Sequence, residues 1–294
     1  MHQHPTYPPD HEFRVLTREQ WEFWRANGYL VVPGVAPVEL CDRVAEMLWR
    51  FLDADPEDPS TWYELAWNRP DAPSRRGFAG MLEVYHDAAM WEIRQHPRVY
   101  DTFVDLWGTE ELWITLDRAN INVPATDEWD FEGFLHWDID PQPGAAPAEI
   151  QGIIALADTT AEMGGLQVVP EAFQRYDELA AEQIGVDRPR FPDVTGMEVV
   201  KVECGAGDLV VWESCTVHGT GRNVSDRPRL AQYLTMAPAT PDDTEMLDLR
   251  LQSFRDRTGY FGNSAFRGDP RELEVATAPT LTDLGERLLG SRAW

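Results

Sequence analysis

The sequence predicts a mainly β protein, a sandwich or barrel with flanking helices, and three observations carry that prediction. Between residues 111 and 240, short runs of β-type residues alternate with turns: "LWITLD", "FLHWDID", "IQGIIALAD", "LQVVP", "MEVVKVE", "DLVVW" and "LAQYLTMAP". Many short strands at near-regular spacing favour a sandwich or barrel over a parallel α/β sheet. Helical periodicity stands on either side of that region. Finally, 294 residues with 43% hydrophobic character, twelve Trp and twelve Phe suffice for a sizeable core and exclude general disorder.

From the N-terminus, "TREQWEFWRANGYLVVPGV" opens with a capping-box pattern, Thr17 with Gln20, and predicts a short helix that stops at Gly28 and turns into an apolar strand. In "APVELCDRVAEMLWRFLD", Pro37 suits a first helical turn. Val38, Cys41, Val44, Leu48 and Phe51 recur at helical spacing, so one face is expected in the core. Residues 53–80 are rich in Pro, Asp and Arg and read as a long loop, which in a compact domain is usually functional or mobile. "DAAMWEIRQ" is helical. The tail holds the helical "EMLDLRLQSFRD", a loop, and the closing helix "LGERLL". The expectation is one domain: an N-terminal helical part over 14–110, a β core over 111–240, and a cap over 241–294.

Fifty-one acidic against twenty-five basic residues give a net charge of −26, a field that repels nucleic acid and anionic membranes. Cys41, Cys204 and Cys215 are too few and scattered for a disulfide framework or zinc knuckle, and fit a reducing cytoplasm. No apolar run reaches the length of a membrane span, and "MHQHPTYPPDHEF" lacks the apolar region of a secretory signal. A cytoplasmic protein is expected, with neither nucleic acid nor membrane as partner.

The chemistry concentrates in "FLHWDID". In a strand, Phe134, His136, Asp138 and Asp140 share one face while Leu135, Trp137 and Ile139 share the other. An isolated His-x-Asp is more often a satisfied buried pair than a site. Downstream, "GDLVVWESCTVHGTGRNVSDRPRLAQY" adds His218 and then Arg229, which opens a strand with Ala231 and Tyr233 on its face. Two histidines and one carboxylate make the facial set that leaves open positions on Fe(II). They can also hold zinc, so a cupin-like hydrolase or isomerase is the rival reading, and a non-catalytic binding protein a second one. A guanidinium aimed into a barrel is costly unless paired. No acidic residue is evidently supplied for Arg229, and a bound dicarboxylate would meet the need.

With those residues in place, the chain resembles the phytanoyl-CoA dioxygenase family of Fe(II)/2-oxoglutarate-dependent oxygenases. "TREQWEFWRANGYLVVPGV", "HWDID", "GGLQVVPEAF", "GDLVVW" and "HGTGRNVSDRPR" occur in the family's order, over roughly residues 14–240. The resemblance implies a double-stranded β-helix, a cupin-like jelly roll with helices on one side. It implies Fe(II), 2-oxoglutarate as cosubstrate and O2, with His136, Asp138 and His218 as iron ligands and Arg229 on the far carboxylate of 2-oxoglutarate. Thr220 matches a position where the family often places a hydroxyl on that carboxylate. The implied reaction is hydroxylation of an unactivated C–H bond of a small molecule, with release of succinate and CO2. Related halogenases carry a small residue where Asp138 stands, so an aspartate favours hydroxylation.

One departure concerns the other end of the cosubstrate. Many relatives have a lysine before a proline where this chain has Val123, so contact with the 1-carboxylate must come from elsewhere. Asn120 and Asn122 are nearby candidates, each also readable as a polar edge-strand residue. Trp137 either walls the cosubstrate or fills core, and Asp140 reads as a turn or supporting residue. A pocket rimmed by the 53–80 loop, "ATDEWDFEGF" and the cap would place Trp129 and Phe131 near the substrate; Arg75 and Arg76 could meet an anionic one. His2, His4, His11, His86 and His96 lack ligand spacing.

Overall fold

The computed structural model describes residues 5–63, 80–127, 129–144, 149–261, 264–266 and 268–294. In chain order the elements are α1 (Arg18–Asn27), β1 (Tyr29–Val32), α2 (Val38–Leu52), β2 (Met81–Leu82), α3 (Ala88–Arg94), α4 (Pro97–Trp107), β3 (Leu112–Ile114), β4 (Ala119–Asn122), β5 (Ile150–Ala155) and β6 (Leu166–Val169). They continue with α5 (Pro170–Gln174), α6 (Tyr176–Glu182), β7 (Val200–Lys201), β8 (Leu209–Glu213), β9 (Val217–Thr220), β10 (Arg229–Tyr233) and β11 (Met236–Pro238). The tail adds α7 (Thr244–Asp256), β12 (Gly259–Phe261), β13 (Ser264–Phe266), α8 (Glu272–Val275) and α9 (Asp283–Leu289).

A six-stranded sheet runs in the order β1-β8-β5-β10-β4-β2 and a three-stranded sheet in the order β7-β6-β9, both antiparallel throughout. Alternation along the strands assigns each side chain to a layer. Leu30, Val32, Ile121, Ile154, Leu209, Val211 and Leu230 turn toward the helices and join the main core with α1 to α4. The alternate residues Ile153, Val210, Trp212 and Ala231 face the smaller sheet and pack against its Leu166 and Val168. On that sheet's outer side, Val169 and Val217 meet Ala172, Tyr176, Leu179 and Ala180 of α5 and α6. Helices thus cover the outer faces, and the inner faces enclose one small core between the sheets.

The local signals explain the N-terminal elements. The capping box at Thr17 and Gln20 closes on α1, and Gly28 ends it at φ 70°, where a Cβ would run into Thr216 Oγ1 and Phe173. On α2 the buried stripe is Cys41, Val44, Met47, Leu48, Phe51 and Leu52. Val38, expected in it, is 47% exposed in the first turn. The apolar strand expected after Gly28 forms as β1 and joins the large sheet, as does the short β2.

Other expectations change as well. "FLHWDID" forms no strand; among its residues His136 alone makes a β-bridge, to His218. "MEVVKVE" pairs only at Val200 and Lys201, and "LAQYLTMAP" breaks into β10 and β11. The helices α4, α5 and α6 and the strand β9 stand beyond the elements expected from the sequence. Among the described residues no helix is long and apolar enough to cross a membrane.

The tail is fastened through buried polar contacts. Arg250 on α7 donates to the carbonyls of Ile114, Leu288 and Leu289. The fully buried Glu272 carboxylate accepts from the backbone N–H groups of Tyr85 (3.0 Å) and His86 (2.6 Å), just ahead of α3. Burial pushes this carboxyl up to about 7 against the pull of those hydrogen bonds. A folded value above the unfolded one gives stability that is full below the unfolded pKa and lost as pH rises through the folded one. Unfolding free energy should therefore fall by about 3 kcal/mol from this group as pH climbs from the ordinary carboxylate range past neutrality. Glu272→Gln should flatten that part of the urea-derived stability profile; an unchanged slope would mean Glu272 does not titrate there.

Candidate metal centre

The site begins with a close approach of two backbones. Segment 134–138 lies along β9, with His136 N–H donating to His218 O (2.9 Å) and His218 N–H to His136 O (3.0 Å). Two glycines permit it. A Cβ on Gly219 would stand 2.1 Å from Phe134 O, and one on Gly133, at φ 71°, 1.7 Å from Thr220 O. Alternation then sorts the side chains. Trp137 turns outward into the cluster of Val169, Ala172 and Tyr176, its indole N–H donating to Cys215 O at 2.9 Å. His136 and Asp138 turn inward beside His218, whose ring lies 5.2 Å from that of Trp212 in the inter-sheet core.

His136, Asp138 and His218 each offer a ligand atom, all within 4.8 Å of one another. His136 Nε2 is 3.0 Å from Asp138 Oδ1, and His218 Nε2 is 3.5 Å from Asp138 Oδ2. His218 Nδ1 lies 3.0 Å from Thr216 O, and His136 Nδ1 is 3.4 Å from Phe134 O. A backbone carbonyl at Nδ1 favours the proton there and leaves the Nε2 lone pair for a metal. Two imidazoles and one carboxylate so arranged fit a divalent iron.

Asp138 is held from further sides. Gln151 on β5 donates to Oδ2 at 2.5 Å, and Trp212 Nε1 donates to Gln151 Oε1 at 2.7 Å, which fixes which end of the amide faces the carboxylate. Arg190 Nη2 donates to Oδ1 at 2.9 Å. Burial alone would push the Asp138 carboxyl up; its contacts with His136, His218 and Gln151 hold it well below the usual range. The group is a carboxylate ready to ligate.

Arg229 opens β10 on the inward face that Ala231 and Tyr233 share. It is 4% exposed, and Nη1 donates to Asn120 Oδ1 at 2.8 Å. No carboxylate of the described residues lies within ion-pair distance of it, and burial lowers its pKa. Thr220 ends β9 two residues past His218, on the same side of the strand.

The structure corrects the edge-strand reading of Asn120 and Asn122, because β4 lies inside the large sheet and both side chains are buried. Asn122 Nδ2 donates to the carbonyls of Gly164 and Gly221, and Val123 belongs to the helix-side core. Trp137 takes the core reading. Trp129 packs against the main core, Phe131 is half-buried, and Asp140 is exposed and outside the trio. Arg75, Arg76, His2 and His4 lie outside the described residues. Gln151, Trp212, Arg190 and Phe191 were not anticipated. A lone polar residue in "IQGIIALA" could have flagged Gln151; nothing local marks Arg190.

The phytanoyl-CoA dioxygenase family model matches residues 24–231. The chain belongs to the phytanoyl-CoA dioxygenase family. Ava biosynthesis cluster protein O of Aspergillus versicolor is 30% identical over 239 residues, 74% of this chain and 76% of that protein. In fold the chain is similar to the α-ketoglutarate-dependent epimerase SnoN of nogalamycin biosynthesis, with TM-score 0.53, 23% identity, and coverage of 76% of this chain and 80% of that one. The carbocyclase SnoK of the same biosynthesis is likewise similar, with TM-score 0.51, 20% identity, and coverage of 75% and 83%. As a phytanoyl-CoA dioxygenase family member the protein is an enzyme of the Fe/2-oxoglutarate-dependent superfamily, with iron and 2-oxoglutarate as cofactors. Its antiparallel sheets with flanking helices agree with that class.

Because Gly219 admits Phe134 O, Gly219→Ala should push segment 134–138 off β9 and separate His136 from His218. Metal affinity should fall by about tenfold or more, as when the support of a metal ligand is lost. Calorimetric Ni(II) titration checks this, and wild-type affinity in the variant would detach the close approach from metal binding.

Proposed function

We propose that the protein is a non-haem Fe(II)- and 2-oxoglutarate-dependent dioxygenase, on a single double-stranded β-helix domain, that hydroxylates an unactivated C–H bond of a small molecule. His136, Asp138 and His218 hold the metal, and Arg229, with Thr220, takes the far carboxylate of 2-oxoglutarate. The observation that carries this reading is the buried Arg229 guanidinium, answered by an amide and by no carboxylate among the described residues, on the face that shares the inter-sheet space with the trio. A dicarboxylate supplies the missing charge.

When bound, iron with 2-oxoglutarate and O2 supplies the oxidising power, and the cosubstrate leaves as succinate and CO2. The chain's own residues supply order. The two imidazoles are oriented by backbone carbonyls, Gln151 and Arg190 hold Asp138 in its ionised form, and Ile153, Leu166, Val168 and Val210 keep the neighbouring space apolar. Arg229 sets one end of the cosubstrate through a planar fork that matches a carboxylate. Asp138 fills the position that a halide would need, which supports hydroxylation over halogenation. SnoN and SnoK, an epimerase and a carbocyclase, support a second outcome, in which the same centre serves inversion or ring closure. A zinc hydrolase would leave Arg229 without a role. Free Cys41, Cys204 and Cys215 support a reducing cytoplasm, and a net charge of −26 supports a small-molecule partner over nucleic acid or a membrane.

His218→Ala should abolish the visible band of the anaerobic Fe(II)/2-oxoglutarate complex while leaving circular dichroism unchanged; a retained band would remove His218 from the metal. Truncating one partner of a buried charge pair costs roughly 2–5 kcal/mol. Arg229→Ala should therefore raise the 2-oxoglutarate Kd about thirtyfold or more, with Lys recovering only part. Anaerobic titration at constant iron measures it. Equal affinities would take the arginine out of the site.

A further inference from the structure

Arg190 stands on the connection between α6 and β7, far in sequence from both metal-binding stretches. It is fixed to the residue between two of the trio's members. Trp137 N–H donates to Arg190 O at 2.9 Å, and Arg190 Nε donates back to Trp137 O at 2.7 Å. That clamp carries Nη2 to Asp138 Oδ1 at 2.9 Å. Nη1 has no hydrogen-bond partner among the described residues, and the side chain is 40% exposed. The next residue secures the loop: the Phe191 ring lies 6.1 Å from that of His136 at 27° and 5.8 Å from Phe134, with the Arg188 guanidinium 4.1 Å from the Phe191 centroid.

The charges do not balance as they stand. Arg190 and Arg229 are two guanidinium groups set against the single carboxylate of the trio, in a chain whose net charge is −26. A divalent metal on the two Nε2 atoms and Asp138 draws on that one carboxylate. Arg190, still clamped by Nε, would then share the single charge of Asp138 with a dication, and the surplus of positive charge favours a further anion there. Arg229 accounts for one carboxylate of 2-oxoglutarate. The other is adjacent to the 2-oxo group. Asn122 cannot serve it, since both of its amide hydrogens go to the carbonyls of Gly164 and Gly221, and Asn120 stands against Arg229, at the end of the other carboxylate.

We propose that Arg190 is the second carboxylate anchor of this site and takes the 1-carboxylate of 2-oxoglutarate through its uncommitted Nη1 edge. The inference rests on the proposed 2-oxoglutarate chemistry. It makes the cosubstrate site a pair of arginines, one buried in the large sheet and one delivered by the α6–β7 loop, which only the tertiary fold brings together.

Two ligands and three variants test it, with the metal site saturated by redox-inert Ni(II) and binding read by calorimetry or competition. 2-Oxoglutarate carries both carboxylates, and pyruvate carries only the 2-oxo acid end. Arg190→Gln should weaken both ligands about tenfold or more, the loss of one charge-assisted hydrogen bond. Arg229→Ala should weaken 2-oxoglutarate and leave pyruvate as it was, and Arg190→Lys should recover part of what Gln loses. Ni(II) affinity, measured on its own, should hold or rise in Arg190→Gln as a cation leaves the metal's vicinity. A fall in Ni(II) affinity with both ligands unaffected at saturating metal would assign Arg190 to steadying Asp138 alone and overturn the proposal. So would unchanged affinity for both ligands; wild-type binding of 2-oxoglutarate would then leave the proposed function standing. Failure of the wild type to bind 2-oxoglutarate would overturn both.

Discussion

Two backbone hydrogen bonds, exchanged between His136 and His218, set the position of everything else in the metal centre. They bring together stretches far apart in the chain and put both imidazoles on one side of the smaller sheet. The same register turns Trp137 outward, where its indole bonds Cys215 O and anchors the segment in the core against α5 and α6. The exchange demands that two backbones lie closer than side chains allow, and Gly133 and Gly219 meet that demand from opposite sides. Asp138 follows from the alternation, and Gln151 and Arg190 meet it where that alternation leaves it.

The trio was legible because it needs only two local patterns, a His-x-Asp with alternate faces and a histidine between two strands. The alternation held although the strand did not form: Thr216, which would pair next with Asp138, gives its N–H to Glu213 O and its carbonyl faces His218 Nδ1, so the ladder stops at one bridge. One bridge is enough to fix the faces. Val38 misled because a first-turn residue at the right spacing can still project past the end of the core. The interior place of β4 was hidden in "NINVPA", where asparagines suggest an edge; their amides are buried because Arg229 and the carbonyls of Gly164 and Gly221 satisfy them. Arg190 could not be found from sequence, since its role depends on a loop returning from α6 to β7.

Arg229 illustrates how a costly group is tolerated in the fold. The inner faces of the two sheets are apolar over most of their area, with Ile153, Leu166, Val168, Val210 and Ala231 in contact. Polar side chains stand among them in two groups: His218 on β9 and Gln151 on β5 at the trio, and Asn120 on β4 with Arg229 on β10, toward the opposite end of the β5–β10 pair. The large sheet therefore serves both as wall of the main core and as the rigid mount for these buried polar groups.

The three ligand side chains are not equally enclosed: His218 is 6% exposed, His136 18% and Asp138 35%. The centre is thus a well with a floor and a lip, His218 at the bottom and the carboxylate at the rim. An ion entering from water would meet the negative group first and the imidazoles after it. Of the three, the carboxylate is the most open to solvent, so a chelator drawing on a metal held here would meet the aspartate first.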